Sequence, residues 1–119
     1  MAKKHLVVVT HSTDNHDRAN GALALIVSLV SFDADVAVFL NFEGVLLAKR
    51  GVAETIEGRN FTPGRELFPM IVEAEVPIYV CSASATTNDI TEDDLVPGAK
   101  IVSLPTLAFE MESRDTVTF

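Results

Sequence analysis

Two apolar runs constrain the fold of this chain more than any other feature. The first reads HLVVVT over residues 5–10, and the second reads ADVAVFL over residues 34–40. A strand with one solvent-exposed face alternates apolar and polar residues. These continuous apolar runs therefore indicate strands buried on both faces, as in parallel sheets that helices cover on both sides. Residues 17–30 between them predict a helix whose apolar stripe consists of Leu23, Ile26, Val27 and Val30.

The rest of the chain continues this alternation. We predict a short helix at 45–49, a loop at 58–64, a helix at 65–75, a strand at 76–81, a short helix from residue 91, a strand at 100–104, a helix at 107–112 and an edge strand at 116–119. Strands that alternate with helices predict βαβ units. We therefore expect one domain over residues 1–119, an α/β/α sandwich around a mostly parallel five-stranded sheet.

Composition and charge exclude several classes of function. The net charge is −8 and the nine basic residues are scattered, which argues against a nucleic-acid partner. The richest apolar stretch, residues 21–32, is too short to cross a bilayer, so we expect no membrane partner. Only Lys3 and Lys4 precede the first apolar run and no small-residue cleavage site follows it, so we expect no signal peptide. With a single cysteine, a cytoplasmic location is expected. The chain has no Gly-rich nucleotide-binding motif, so no nucleotide cofactor is expected.

The loop after the first predicted strand carries His11, Asp14, His16 and Asp17. Imidazole and carboxylate groups are ordinary ligands of zinc or iron. The same loop can instead cap the next helix, which is the more common role, and we predict no metal site. Because the loop follows a strand, His11, Asp14 and His16 are candidates to line a pocket at the edge that also carries Cys81. There a histidine could carry a proton or stand beside a thiolate.

Cys81 is the only cysteine, and it ends a predicted strand. Ligands of open α/β sheets bind at the carboxyl ends of strands. The small residues that follow, including Ser82 and Ser84, leave room and free N–H groups around the sulfur, so both serines are candidate pocket residues. The alternative is a buried, inert thiol, because free cysteine is among the most buried residue types. No Lys or Arg lies between Glu66 and Ala99, so the sequence supplies no cation beside the sulfur.

Three segments carry a resemblance to a known family: VVVT at 7–10, IYVC at 78–81 and TEDDLVPG at 91–98. Along its whole length the chain resembles the DsrE/DsrF-like family of small sulfur-relay proteins. The resemblance implies a compact α/β/α sandwich that assembles as trimers or hexamers. It also implies a persulfide on Cys81, received from a donor protein and passed to an acceptor protein, with no metal or organic cofactor. One departure is the segment 86–88, TTN, where sulfur-transferring members tend to have basic residues.

The sequence therefore leaves two candidate functions. The first is a cytoplasmic homo-oligomeric sulfur carrier, similar to a sulfurtransferase, with the 11–16 loop as a pocket wall beside Cys81. The second is a non-catalytic homo-oligomeric binding or scaffold protein of the same fold, in which Cys81 is only packed. Both include a subunit interface, because a small domain this apolar is expected to bury exposed surface between copies.

Overall fold

One sheet of five parallel strands forms the centre of the protein within residues 2–119, the part that a computed structural model describes. The strands are β1 (Lys4–Val9), β2 (Asp35–Leu40), β3 (Ile78–Cys81), β4 (Ala99–Val102) and β5 (Asp115–Thr118). The helices are α1 (His16–Ser31), α2 (Gly64–Glu73), α3 (Ser82–Thr87) and α4 (Leu104–Ser113). Short 3₁₀ helices cover Phe42–Ala48, Ala53–Thr55 and Glu92–Asp94. The α/β fold is as predicted, and the sheet is fully rather than mostly parallel.

The strand order β4-β3-β2-β1-β5 decides where the helices lie. Strands β1 to β4 follow one another in one direction, and the chain then crosses back to place β5 beyond β1. Right-handed crossovers therefore put α1, α2 and α3 on one face, here called the helix-rich face, and α4 on the other, here called the α4 face. The Tyr79 hydroxyl donates a hydrogen bond to Glu110 of α4 at 3.0 Å, which places the Tyr79 side chain on the α4 face.

The main core lies on the helix-rich face. Side chains from the sheet, from α1 and from α2 surround one small interior space there: Val9, Leu23, Ile26, Val38, Leu40, Leu47, Phe68, Ile71 and Ile78. All of these are buried. Of the predicted stripe on α1, Leu23 and Ile26 are buried, whereas Val27 and Val30 are only partly buried. The apolar spacing of α1 thus explains which side of the helix meets the sheet.

The α4 face is covered differently, because α4 has no buried residue. Leu104, Phe109 and Met111 are 53%, 73% and 51% exposed. Polar contacts hold the end of this helix instead. The Arg114 guanidinium, just past α4, donates to Glu110 at 2.8 Å and to Asp35 of β2 at 3.1 Å.

Two predicted helices differ from the observed ones. The segment at 45–49 is part of the 3₁₀ helix Phe42–Ala48, which begins earlier and presses Gly44 against β1, where a Cβ would lie 2.0 Å from the Val9 carbonyl oxygen. The helix predicted at 107–112 begins at Leu104, because Pro105 is well suited to the first turn.

Helix α3 was not predicted at all. Its sequence is SASATT, and serine and threonine are weak helix formers whose hydroxyls compete for backbone groups. Here the Thr86 and Thr87 hydroxyls donate back to the carbonyls of Ser82 and Ala83, both at 3.1 Å. The short helix is therefore stabilised by its contacts with the rest of the protein rather than by its helix propensity.

In residues 2–119 no helix has both the length and the hydropathy to cross a membrane.

Candidate functional site

Cys81 lies at the carboxyl end of the sheet, as the sequence predicted. It is the last residue of β3, the N-cap of α3 and the neighbour of Val102 on β4. Side chains alternate along a strand, so Cys81 points to the same face as Tyr79, the α4 face. The connections that leave β3 and β4 go to opposite faces, and such a divergence opens the crevice in which α/β proteins bind ligands. The thiol is free and only 3% exposed.

Ser84 fixes the backbone beside Cys81. Its buried hydroxyl donates to the Asn41 side-chain oxygen at 3.0 Å and accepts the Phe42 N–H at 2.9 Å. Phe42 has a φ of +50°, a conformation that a phenylalanine rarely adopts, and its ring is 63% exposed. Ser84 therefore ties the end of β2 to α3. Backbone strain of this kind is frequent at functional sites.

Asn41 and Phe42 were missed by the sequence analysis. The signal for them was present, because both follow the buried strand at 34–40 and so reach the edge that carries Cys81. Ser82, by contrast, is exposed at the start of α3, and within residues 2–119 its hydroxyl makes no hydrogen bond. The predicted pocket serines thus differ in role: Ser84 is structural, and Ser82 faces solvent.

His11 and Asp14 contact each other. The His11 Nδ1 and an Asp14 carboxylate oxygen are 2.7 Å apart, and the Ser12 N–H donates to the other oxygen at 2.7 Å. Burial alone would raise the pKa of Asp14, but the hydrogen bonds from Ser12 and His11 outweigh it and lower the pKa below its usual value. Asp14 is therefore a charged acceptor that closes the loop before α1.

His16 and Asp17 bind a different part of the chain, the loop at 57–62. His16 Nδ1 accepts the Glu57 N–H at 3.0 Å. Asp17 accepts the Arg59 N–H at 2.8 Å and two guanidinium hydrogen bonds at 2.6 and 3.0 Å, and these lower the pKa of Asp17. Because Nδ1 accepts this hydrogen bond, Nε2 is the only His16 ring nitrogen left to meet another partner.

Asn20 completes this attachment from one turn further along α1. It is fully buried, its side-chain oxygen accepts the Gly58 N–H at 2.7 Å, and its amide donates to the Thr62 carbonyl at 2.8 Å. A Cβ at residue 58 would lie 3.0 to 3.1 Å from α1 atoms, so the loop fits this closely only with glycine. The predicted loop is confirmed, with a defined structure.

The structure separates the candidate residues into two groups. Cys81 ends β3 and the two serines follow it, whereas His11 and Asp14 follow β1, and β2 lies between the two strands. Two strand spacings amount to roughly 10 Å. Within residues 2–119, the hydrogen bonds of His11, Asp14 and His16 go to residues other than Cys81. The same residues contain no group of three His, Cys, Asp or Glu side chains placed to hold a metal ion.

Sequence comparison identifies the family. The DsrE/DsrF-like family matches residues 3–119. The chain belongs to this family. The uncharacterized protein MJ0989 of Methanocaldococcus jannaschii is 30% identical over 117 residues, which cover 98% of this chain and 99% of that protein. The uncharacterized protein MK0008 of Methanopyrus kandleri is 24% identical over 113 residues, covering 95% of this chain and 90% of that protein.

Two solved structures share the fold. The ychN protein from E. coli aligns over 100% of both chains with a TM-score of 0.79 and 21% identity. The MTH1491 protein of unknown function from Methanobacterium thermoautotrophicum covers 97% of this chain and 99% of its own, with a TM-score of 0.66 and 16% identity. At these identities the likeness supports the all-parallel α/β architecture and no more than that.

Proposed function

We propose that this DsrE/DsrF-like protein is a cytoplasmic sulfur carrier that holds a persulfide on Cys81. The observation that carries the proposal is the position of Cys81 at the carboxyl end of β3, where the chain leaves β3 and β4 toward opposite faces. A nucleophile in such a crevice can meet a reactant from outside the sheet. The family to which the chain belongs supplies the reaction class, because its sulfur-transferring members use a cysteine at the matching position.

The reaction needs only thiols. The Cys81 thiolate attacks the terminal sulfur of a donor persulfide, which forms a bond between Sγ and that sulfur and breaks the donor's S–S bond. The donor leaves as a thiolate, and Cys81 now carries the terminal sulfur. An acceptor thiolate then attacks this sulfur and releases the Cys81 thiolate. No net oxidation occurs, and the protons of the thiols are exchanged with solvent.

The residues that follow Cys81 in sequence supply no cation to stabilise a negative charge on the sulfur. Lys and Arg are absent from residues 67–98, so no cation follows Cys81 in sequence. Cys81 is the N-cap of the six-residue helix α3, but its side chain makes no capping hydrogen bond and points to the α4 face, away from α3.

Access to the sulfur requires local motion, because the side chain is only 3% exposed. Helix α4 begins two residues after Val102, the β4 neighbour of Cys81, and α4 has no buried residue. Segments with few buried apolar contacts open at low free-energy cost. We place the opening that exposes the sulfur at the start of α4.

We also propose a homo-oligomer, a trimer or hexamer. Phe109 and Met111 in the second half of α4 are exposed apolar side chains, and they lie beyond the start of the helix that would open. A second copy of the chain would cover them, as apolar surfaces of small domains often are in symmetric assemblies.

Intact mass spectrometry tests the carrier. The protein is incubated with thiosulfate and a sulfurtransferase, beside a Cys81→Ser variant that is nearly isosteric but has no thiol. We expect wild type to gain the mass of one sulfur, which cyanide then removes, and the serine variant to gain none. If wild type gains no sulfur from the donor, or if Cys81→Ser gains as much as wild type, the proposal is refuted.

The burial of Cys81 also favours the second candidate function, an oligomeric scaffold with an inert thiol. In that case wild type gains no sulfur even with excess donor, while its assembly state is the same as that of Cys81→Ser. The mass experiment therefore separates the two functions.

A further inference from the structure

A second candidate site lies on the other side of the sheet from Cys81, beyond β1. It is an open cleft of about 530 Å³ whose lining includes Asp17, Arg18, Gly21, Arg59, Phe61 and Phe119, here called the Arg18 cleft. Its volume falls in the range of small-molecule pockets, roughly 300–1,000 Å³. We propose that the Arg18 cleft binds a small organic anion with a flat apolar body and one sulfonate or carboxylate group.

The topology explains why the cleft exists. Strand β5 is an edge strand, and the helix that leads to it, α4, crosses on the α4 face. The helix-rich face of β5 therefore has no helix of its own, and Val117 on it is 40% exposed. Helix α1 lies over β1 and β2, so a groove remains between α1 and β5.

Hydrogen bonds and packing hold Phe119 and Phe61 in place at the floor of the cleft. Phe119 continues the β5 ladder, since its N–H donates to the Val8 carbonyl at 2.8 Å and its carbonyl accepts the Thr10 N–H at 2.8 Å. A Cβ on Gly21 would lie 3.5 Å from the Phe61 ring and 3.6 Å from the Phe119 ring, so both rings pack over this glycine. The two phenyl rings thus form an apolar floor.

The loop wall of the cleft is rigid. Arg59 makes three hydrogen bonds to Asp17, through its backbone N–H at 2.8 Å and its guanidinium at 2.6 and 3.0 Å. The neighbouring Gly58 is bound by the buried Asn20. A ligand would therefore enter a cleft whose shape is already formed, which lowers the entropic cost of binding.

One cation in the cleft has no partner among the described residues. Asp17 and Arg59 neutralise each other at 2.6 Å. Within residues 2–119 the Arg18 guanidinium makes no ion pair and no hydrogen bond, although the whole chain carries a net charge of −8. A free guanidinium beside two phenyl rings suits an anionic group attached to a flat apolar body, because the cation pairs with the anion while the rings pack on the body.

Benzenesulfonate and benzoate are the probes, titrated into the isotope-labelled full chain and followed by amide chemical shifts. We expect shifts in residues 17–21 and 59–61, and binding about tenfold weaker in Arg18→Gln, because a charge-assisted hydrogen bond is lost. Phe61→Ala should also weaken binding. Lys3→Gln, which removes a cation at the opposite end of the sheet, is the matched control and should bind as wild type does.

Two further probes test the chemical class. Benzenesulfonamide has the ring without the charge, and methanesulfonate has the charge without the ring. Both should bind more weakly than benzenesulfonate. Equal binding by wild type and Arg18→Gln, shifts confined to other parts of the chain, or methanesulfonate binding as well as benzenesulfonate would each overturn the proposal. Arg18 is exposed, so its substitution leaves the fold intact, and the amide spectrum verifies this.

Discussion

The two faces of the sheet are covered by opposite means. On the helix-rich face, α1 and α2 bury a continuous apolar core that includes Ile26 and Ile71, each 1% exposed. On the α4 face, one ten-residue helix without a buried residue is held at its end by Arg114 and Glu110. The first face stabilises the fold through apolar area removed from water. The second leaves apolar side chains exposed and α4 weakly attached.

This difference indicates which face of the sheet is suited to binding or reaction. The elements that move or bind partners are drawn from the less stable parts of a protein. Cys81 points to the α4 face, and the exposed side chains of α4 are on the same side. The helix-rich face therefore holds the fold together, whereas the proposed exchange of sulfur and the proposed contact between copies both involve the α4 face.

The largest effect should come from the core of the helix-rich face. Ile26→Ala removes a buried side chain between α1 and the sheet, and we expect a loss of about 3 kcal/mol in the free energy of unfolding, from lost burial and a residual cavity. Urea denaturation followed by circular dichroism measures it. A loss below about 1 kcal/mol would mean that this face is not the main source of stability.

A smaller loss is expected on the α4 face from Arg114→Met. The change removes the donor to Glu110 and Asp35 and leaves the largely buried Glu110 carboxylate without its partner, at a cost of roughly 2 kcal/mol. Arg114→Lys keeps the charge but lacks the fork of donors, and it should lie between wild type and the methionine variant. If Arg114→Met unfolds at the same urea concentration as wild type, apolar packing rather than the polar network holds α4.

Phe109→Asp should change assembly while hardly changing the fold of the chain. The ring is 73% exposed, so we expect a change within about 0.5 kcal/mol in the stability of the monomer. A charge in the proposed interface should lower the mass of the assembly measured by light scattering. Phe32→Asp is the matched control, because Phe32 is 83% exposed at the end of α1 and lies outside that interface. Equal masses for both variants and wild type would contradict assembly through α4.

The smallest effect is a shift in titration. Burial and the hydrogen bond to Glu110 raise the pKa of Tyr79, the only tyrosine, above its usual value of 10.0. Glu110→Gln should lower that pKa, as read from ultraviolet absorbance. Because the pKa of Tyr79 is raised in the folded state, its protonated hydroxyl contributes to the free energy of unfolding. This contribution is complete below pH 10 and is lost as the pH rises through the folded-state pKa. If the pKa of Tyr79 is the same in Glu110→Gln as in wild type, the contact with α4 does not raise it.

Much of the fold was predictable because it depends on local patterns. The runs at 5–10 and 34–40 are strands, and the spacing of Leu23 and Ile26 identifies the buried side of α1. Helix α3 was not predictable, because its serines and threonines favour other conformations and its place is fixed by Ser84 reaching back 43 residues to Asn41.

The site was predictable only in part. The strand that ends at Cys81 could be read from sequence, and so could the polar loop after β1. That His16 binds Glu57, 41 residues away, could not, because the contact depends on how the 57–62 loop packs on α1. The ion pair of Arg114 with Asp35 spans 79 residues and leaves no local pattern. Side chains that join distant segments are set by tertiary packing.

The proposed carrier requires Cys81 to react while the protein is folded, and alkylation under native conditions measures this reaction. Iodoacetamide is added without denaturant to wild type and to Ile26→Ala, and the modified fraction is followed by intact mass. If α4 opens locally, both proteins should react at rates within about twofold of each other, because Ile26 is on the other face. If only global unfolding exposes the thiol, a loss of about 3 kcal/mol should accelerate the variant by about a hundredfold or more, and that result would contradict the account.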